Sequence, residues 1–266
     1  MPRHRLLRSA LHGLLLQAAQ DAGVTVALGS EVVSAHPEGT LILADGTRLS
    51  ADLAVAADSV GSVIPDRLGI GGTVRRYDDG IIRRLADRRD LGPGWDKTLD
   101  IWLLGKSRLR ALYSPCSPSQ CYLCLMSAVS DDIGARIPLE TDYWTDAFPM
   151  LAGVIRNGQD NARYDRYGRI DRVSWSKGRV AIVGDAAHAM PSSLGRSASA
   201  GLLTAVRLAE AVEEHGRIED ALAEWERTNR PDIEQVQAKA THVALARSLS
   251  RSEIPDFGKI EHEIQN

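Results

Sequence analysis

The stretch VAIVGDAAHAMPSSLGRSASAG, Val180 to Gly201, carries the most information in this chain. Its opening run Val180–Val183 is apolar and β-branched, the composition of a short strand buried on both faces. The run stops at Gly184-Asp185, which puts a carboxylate at the strand's C-terminal end. In open α/β sheets, ligands bind outside that end. A carboxylate there can accept hydrogen bonds from ligand hydroxyls. Pro191 and Gly195 then shape a loop, and the small residues from Ser197 to Gly201 open a helix. The first N–H groups of a helix lack intrahelical partners and carry partial positive charge, so such a start stabilises negative charge. The lack of side-chain bulk lets a planar group approach the backbone. The same residues would also suit a tight strand–loop–helix crossover with no ligand, and their physical properties alone leave both readings open.

Downstream, Ser197–Glu214 carries Leu202, Leu203, Val206, Leu208, Ala209 and Val212 on helical spacing. Two further helices are expected, Asp220–Asn229 and Asp232–Leu249, divided at Arg230-Pro231 because proline suits a helix start. Upstream, segments between Val74 and Val173 alternate apolar and polar residues: IIRRLA, TLDIWLLG, RLRALYS, CYLCLMSAV and RYGRIDRVSW. This pattern predicts an antiparallel sheet with one wetter face, punctuated by LGPGWD and SPCSPSQ and interrupted by one helix, Leu139–Asn157. Before it, Val24–Gly29 and Glu31–Ala35 read as short strands, and Asp45-Gly46 between alternating residues predicts a hairpin. Leu53–Ala57 is an apolar run ending at Asp58, the pattern of a strand buried on both faces.

The N-terminus carries Arg3, Arg5 and Arg8 with no acid before Asp21. A basic start before an apolar run resembles a targeting peptide. Leu11, Leu14, Leu15 and Ala18 also fall on one helical face, and a turn and a strand come directly after, which favours a folded amphipathic helix over Ser9–Gln20.

The 266 residues suffice for one large domain or two modest ones. A net charge of −3 and a pI near 6.2 exclude a general nucleic-acid binder. No apolar run has the length of a membrane span. Three cysteines do not make a disulfide framework, and a reducing, cytoplasmic compartment fits them. The spacing Cys116-x4-Cys121-x2-Cys124 matches the first three ligands of a plant-type iron–sulfur site, but the fourth cysteine is missing. Buried strand thiols and no metal site are expected.

GRVAIVGDAAHAMPSSLG resembles the second flavin-binding motif of the aromatic-ring flavoprotein monooxygenases, the p-hydroxybenzoate hydroxylase-like family. RSALHGLL, from Arg8, is similar to the family's R-x-x-L-H-x-x-L helix. ADLAVAADSVGSVI is similar to its ADLVVGADGxxSxVR segment, and ALAEWERTNRPDIEQVQ to its helical tail. The resemblance runs in collinear order over Arg8–Gln237 and is weakest through the middle sheet. It implies an α/β fold: a partial FAD/NAD(P)-binding domain, Rossmann-like and of glutathione reductase type, with an inserted antiparallel β-sheet substrate domain and C-terminal helices. The expected division is 1–72 and 174–266 for the two parts of the FAD-binding domain and C-terminal helices, and 73–173 for the sheet.

The resemblance implies FAD as cofactor, NAD(P)H as reductant, and a hydroxylase acting on an aromatic or N-heteroaromatic small molecule with O2 through a flavin C4a-hydroperoxide. It places Asp185 at the ribityl chain. Pro191, Gly195, Ser197 and the Ala198 N–H would lie at the flavin ring, and Arg196 at the flavin edge. Arg8 would meet the cofactor phosphates or flavin edge, the Val32 main chain the adenine, and Asp58 the cofactor or its own loop. No side chain is assigned to catalysis. His188 is set aside, and Tyr77, Tyr113 and Tyr122 are equal candidates for touching a phenolic substrate.

The sequence also departs from the family. The Gly-x-Gly-x-x-Gly βαβ unit that binds the ADP half of FAD is not found, and it is expected to be absent rather than mutated. The family's Asp-Gly is here Asp58-Ser59, with Pro65 at a later arginine position. Its Gly-Gln-Gly-Ala-Asn is Gly195-Arg196-Ser197-Ala198-Ser199, which narrows the berth for a ring. Its later Asp-Ala is Thr204-Ala205, as in a branch acting on N-heteroaromatic rings. Two other functions therefore stay open: a degenerate non-catalytic flavoprotein-like remnant or interaction domain, and another flavin oxidoreductase such as a reductase or epoxidase. Strands lost from the sheet would leave an apolar edge, which a homo-oligomer would cover.

Overall fold

The computed structural model describes residues 7–89, 91, 94–103, 108–159 and 162–246. Arg3, Arg5, Gly92, Pro93, Leu104, Gly105 and the 247–249 end of the last expected helix lie outside the described residues. Helix α1 (Arg8–Asp21) forms as its periodicity predicts, yet none of its residues is buried, so its leucine stripe is not sealed by the described residues. Val24–Gly29 is not a strand. It joins no ladder, and Val24, Val26 and Leu28 are exposed. Strands β1 (Val32–His36), β2 (Thr40–Leu43) and β3 (Arg48–Ser50) form an antiparallel meander. Its Asp45-Gly46 turn holds because Asp45 Oδ1 accepts the Thr47 N–H at 2.8 Å and Gly46 takes φ +87°, open to glycine.

Strand β4 (Ala54–Ala56) and helix α2 (Ile64–Arg67) come next. The long strand β5 (Gly72–Asp87) enters a five-stranded sheet with β6 (Leu99–Leu103), β7 (Leu109–Pro115), β8 (Gln120–Ala128) and β9 (Tyr164–Arg172), in the order β6-β7-β8-β5-β9. Between β8 and β9 the expected single helix is two, α3 (Thr141–Ala147) and α4 (Ala152–Arg156), with a 3-10 turn at Pro149–Leu151. Pro149 has no N–H to give and keeps Phe148 out of the helical region, at φ −129° and ψ 68°. Then come β10 (Ser176–Lys177), β11 (Val180–Ile182), α5 (Asp185–His188), a 3-10 turn at Ser192–Leu194, α6 (Ser197–Glu214) and α7 (Ile218–Ala246).

The expected break at Pro231 does not occur: α7 runs through it. Pro231 is exposed, so the carbonyl that loses its helical partner there can turn to water. Its neighbour Arg230 also ties the helix down, donating to the Val173 carbonyl at 2.8 Å, to the Arg172 carbonyl, and to Glu226 and Glu234.

Contacts divide the described residues into two compact units. The first holds those up to Gly29 together with Asp78–Arg166, and the second holds Ser30–Tyr77 with those from Tyr167 onward. Residues up to Gly29 were expected with the C-terminal part.

In the first unit, one face of the sheet is sealed by α3 and α4. Cys121, Leu123 and Leu125 of β8 lie there with Trp144, Phe148, Leu151 and Ile155, all buried. Tyr164 crosses β5 at Gly80, where a Cβ would sit 2.4 Å from the phenol ring, and its hydroxyl donates to the Ser127 carbonyl at 2.9 Å. In the second unit, β10-β11-β4 form a small sheet whose β11 and β4 run parallel, with Ala181 opposite Val55. Val180, Ala181 and Ile182 are fully buried against Trp175, Trp225, Leu208 and Ile233. β4 is covered on one face alone: Ala54 and Ala56 are buried, but Val55 is 43% exposed.

Candidate functional site

Because β4 and β11 are parallel, both leave their sheet at the same end. Asp58 follows β4 and Asp185 follows β11, so the pair of strands brings two carboxylates to one edge. The strands stay together to the end, since the Val183 N–H donates to the Ala56 carbonyl at 3.0 Å. Asp58 is exposed, and Ser59 beside it has φ +77°. That is a left-handed backbone at the position where the resembled family carries glycine, and it costs a serine about 1 kcal/mol or more.

Gly184 turns the chain out of β11 with φ +60° and ψ −140°, a combination that side-chain-bearing residues avoid. The space around it is open, so the requirement is one of backbone alone. Asp185, half-buried, then begins α5. Pro191 is buried, the 3-10 turn comes after it, and Gly195 closes that turn in the left-handed region at φ +63°. Helix α6 starts directly afterwards with no side-chain cap. Ser199, in its first turn, bonds the Arg196 carbonyl from its Oγ at 3.0 Å. Gly195, Arg196, Ala198 and Ser199 are exposed, Ser197 is half-buried and Ala200 is buried. At Gly201 a Cβ would lie 3.4 Å from the Gly184 Cα, so the helix passes close over the turn that carries Asp185.

The structure therefore gathers Asp58, Asp185, Pro191, Gly195, Arg196, Ser197 and Ala198 at one end of the parallel strands. Two expected residues are placed elsewhere. Val32 begins β1, in the other sheet of this unit, half-buried against the core. Arg8 begins α1, in the first unit, exposed.

His188 lies behind the site. It is 2% exposed, its ring centroid lies 5.0 Å from that of Trp175, and its Nε2 shares a 3.3 Å hydrogen bond with Thr204 Oγ1. Nδ1 has no partner among the described residues. Burial lowers its pKa to about 4, so the imidazole is neutral.

The three tyrosines are not equivalent. Tyr113 is sealed in the helix-facing core, donating to the Trp95 carbonyl at 2.8 Å and accepting from Arg88. Tyr77 is buried in the second unit and meets Thr241 Oγ1 at 3.3 Å. Tyr122 points to the other face of the sheet, half-buried. Burial raises its phenol, while neighbouring Arg83 and Arg8 pull it down. The cysteines do not converge: Cys121 and Cys124 lie on opposite faces of β8. Burial pushes their thiols up to about 11 and about 12.

Sequence reasoning missed Gln237, a buried polar residue in the stripe Ile233, Gln237, Ala240, Ala244 of α7. The signal was a lone amide on an apolar helical face.

An uncapped helix start lined by exposed small residues, close to a carboxylate at a parallel sheet edge, suits a ligand with both anionic character and hydroxyls. The family described as FAD binding domain matches residues 6–240. The chain is 40% identical to 2-heptyl-3-hydroxy-4(1H)-quinolone synthase of Mycobacteroides abscessus over 247 residues, 92% of this chain and 66% of that protein. It is 26% identical to the aurachin C monooxygenase/isomerase of Stigmatella aurantiaca, over 85% of this chain and 59% of that one. Among solved structures, the tetrameric form of 2-methyl-3-hydroxypyridine-5-carboxylic acid oxygenase superposes with a TM-score of 0.87 at 39% identity, over 93% of this chain and 68% of the other. Klebsiella pneumoniae HpxO with FAD and uric acid shares the fold, with a TM-score of 0.79. The chain thus spans about two thirds or less of the length of these curated relatives. Matched over most of its length, it belongs to the FAD binding domain family.

Proposed function

We propose that the chain serves an FAD-dependent monooxygenase that hydroxylates an aromatic or N-heteroaromatic small molecule, with NAD(P)H as reductant and O2 as co-substrate. The observation that carries this reading is the open start of α6 beside Asp185. The Asp185 carboxylate accepts hydrogen bonds from the ribityl hydroxyls. Pro191 and Gly195 fix the loop, and the N–H groups from Ser197 and Ala198 hold the electron-rich carbonyl edge of the ring. Arg196 places a guanidinium at a helix end that already carries partial positive charge, an arrangement that costs the free protein stability and favours an anion. Arg8 is assigned to the phosphates or flavin edge, the Val32 main chain to the adenine, and Asp58 to the cofactor or its loop. When bound, the flavin supplies the redox and oxygen-activating chemistry, and the protein supplies position and dryness.

The ring class is supported by the quinolone and hydroxypyridine named in the relatives and by Thr204-Ala205. The sheet over 73–173 is assigned to the substrate, and the parts 1–72 and 174–266 to the cofactor. Free thiols suit the cytoplasm. A homo-oligomer that covers Val55, Leu202, Leu203 and Val206, all exposed, agrees with the tetramer of the hydroxypyridine oxygenase.

The test is FAD titration followed by flavin fluorescence, then NAD(P)H consumption and product analysis with phenols, hydroxypyridines and quinolones. Asp185→Ala is expected to weaken FAD binding about tenfold or more, the worth of hydrogen bonds to a charged acceptor. Protein that stays colourless in excess FAD, or an Asp185→Ala variant that binds as well as the wild type, overturns the reading.

A further inference from the structure

Helix α7 reaches the loop in front of α6 through side chains that the cofactor assignment does not use. Gln237 is 2% exposed. Its Nε2 donates to two backbone carbonyls, Ile170 at 2.9 Å and Ala189 at 3.1 Å. The Ala189 carbonyl also accepts the Ile170 N–H at 3.0 Å. The first residue after α5 is therefore clamped between the end of β9 and α7. At the loop's other end Ser193, 8% exposed, donates from Oγ to the Ala240 carbonyl at 2.5 Å. Pro191, between the two ties, is buried. Gly195 and the start of α6 come next in the chain, so their placement depends on where the clamped segment ends.

The chemistry of the tie is specific. A primary amide offers two N–H donors from one nitrogen, which matches two carbonyls. A thioether of the same length offers none, and a buried carboxylate would face both carbonyls with negative charge. Burying an amide in an apolar stripe is unfavourable unless it is bonded, and here one bond goes to β9 and the other to the loop rather than to the helix itself.

We propose that Gln237 is a positioning residue which, together with Ser193, sets the conformation of the 189–195 loop and thereby presents Gly195 and the α6 start to the cofactor. The proposal rests on the reading of that loop as part of the flavin site. Neither side chain touches the cofactor; each acts from behind, and a loosened loop costs affinity because the site is no longer preorganised.

Gln237→Met keeps length and volume and removes both donors. Ser193→Ala removes the second tie with little change in packing. Amide hydrogen exchange across 186–199 and FAD titration are measured on both variants and on Asp185→Ala. Exchange in the loop is expected to quicken in both tie variants, more in Gln237→Met, with exchange in the 78–159 sheet unit unchanged. FAD affinity should fall about tenfold in Gln237→Met, the loss expected when a buried amide no longer bonds the Ile170 carbonyl and the Ala189 carbonyl keeps the Ile170 N–H alone. The visible band of the flavin bound at saturation should lose its resolved shape. Asp185→Ala should weaken binding with loop protection and band shape intact. Unchanged loop exchange in both tie variants overturns the proposal, as does a loosened loop with unaltered FAD affinity and spectrum. Should Gln237→Met not fold, Ser193→Ala decides between the same outcomes. Wild-type protein that takes up no FAD would sink the cofactor reading, and the exchange result would still decide whether Gln237 and Ser193 hold the loop.

Discussion

Two helix ends in this molecule are treated in opposite ways. In the first unit, the end of α4 and the turn after it run into Arg84, a buried side chain on β5. Its guanidinium donates to the carbonyls of Ile155, Gly158 and Gln159, all within 2.9 Å. Even the neighbouring glycine is fitted to it, since a Cβ on Gly158 would lie 2.7 Å from the guanidinium carbon. In the second unit, the start of α6 has no side-chain cap and its first turn is small and exposed. A helix end satisfied from within is scaffold; one left open beside a carboxylate is a surface waiting for a partner.

The closed end gives the largest expected effect. Arg84→Met removes a charge-assisted donor from three carbonyls, of which the Ile155 bond is buried. Hydrogen bonds of that kind are worth about 1.5–3 kcal/mol each, so the variant should lose ~3 kcal/mol or more, read as a fall in Cm in urea. A variant that unfolds at the wild-type midpoint would mean the closed end is not structural, and the contrast with α6 would lose its first half.

The backing of the open end gives the next effect. His188 is held neutral by burial, its pKa lowered from 6.5 to about 4. The unfolded chain therefore takes up a proton between those values that the folded chain refuses. Stability from this group is full above the unfolded pKa and is lost as the pH falls toward 4, by as much as ~3 kcal/mol. Replacing it with a side chain that cannot titrate, His188→Asn, should flatten the pH dependence of unfolding across that window. Wild type and variant with equal slopes would show that imidazolium is tolerated behind the site.

How far the sequence carries the fold depends on how local each cause is. The helix Ser197–Glu214 and the strand before Gly184 are legible because periodicity and composition act within a few residues. The Asp45-Gly46 hairpin is legible for the same reason. Val24–Gly29 has strand composition but no partner, and partners are tertiary. Pro231 reads as a boundary, but nothing in its own neighbourhood tells that Arg230 will pin the helix to the Arg172 and Val173 carbonyls. The site divides likewise. Asp185 and the small residues after it are legible because strand, turn and helix start are consecutive. The choice among Tyr77, Tyr113 and Tyr122 depends on which sheet face α3 and α4 cover, and the role of Gln237 depends on a loop far off in sequence.

The smallest expected effect tests the open end directly. Arg196 sets a cation at the positive end of the α6 dipole, where it is unfavourable in the free protein. Arg196→Asp reverses that charge and should stabilise the protein by about 0.5 kcal/mol at low ionic strength, fading as salt screens it. The same change should weaken FAD binding, because a carboxylate now repels the anionic character that the helix start is expected to receive. Stability and affinity moving in opposite directions is the signature of an end kept open for a ligand. If the variant gains stability and binds FAD equally well, the α6 start is merely uncapped, and the difference between the two helix ends carries no functional meaning.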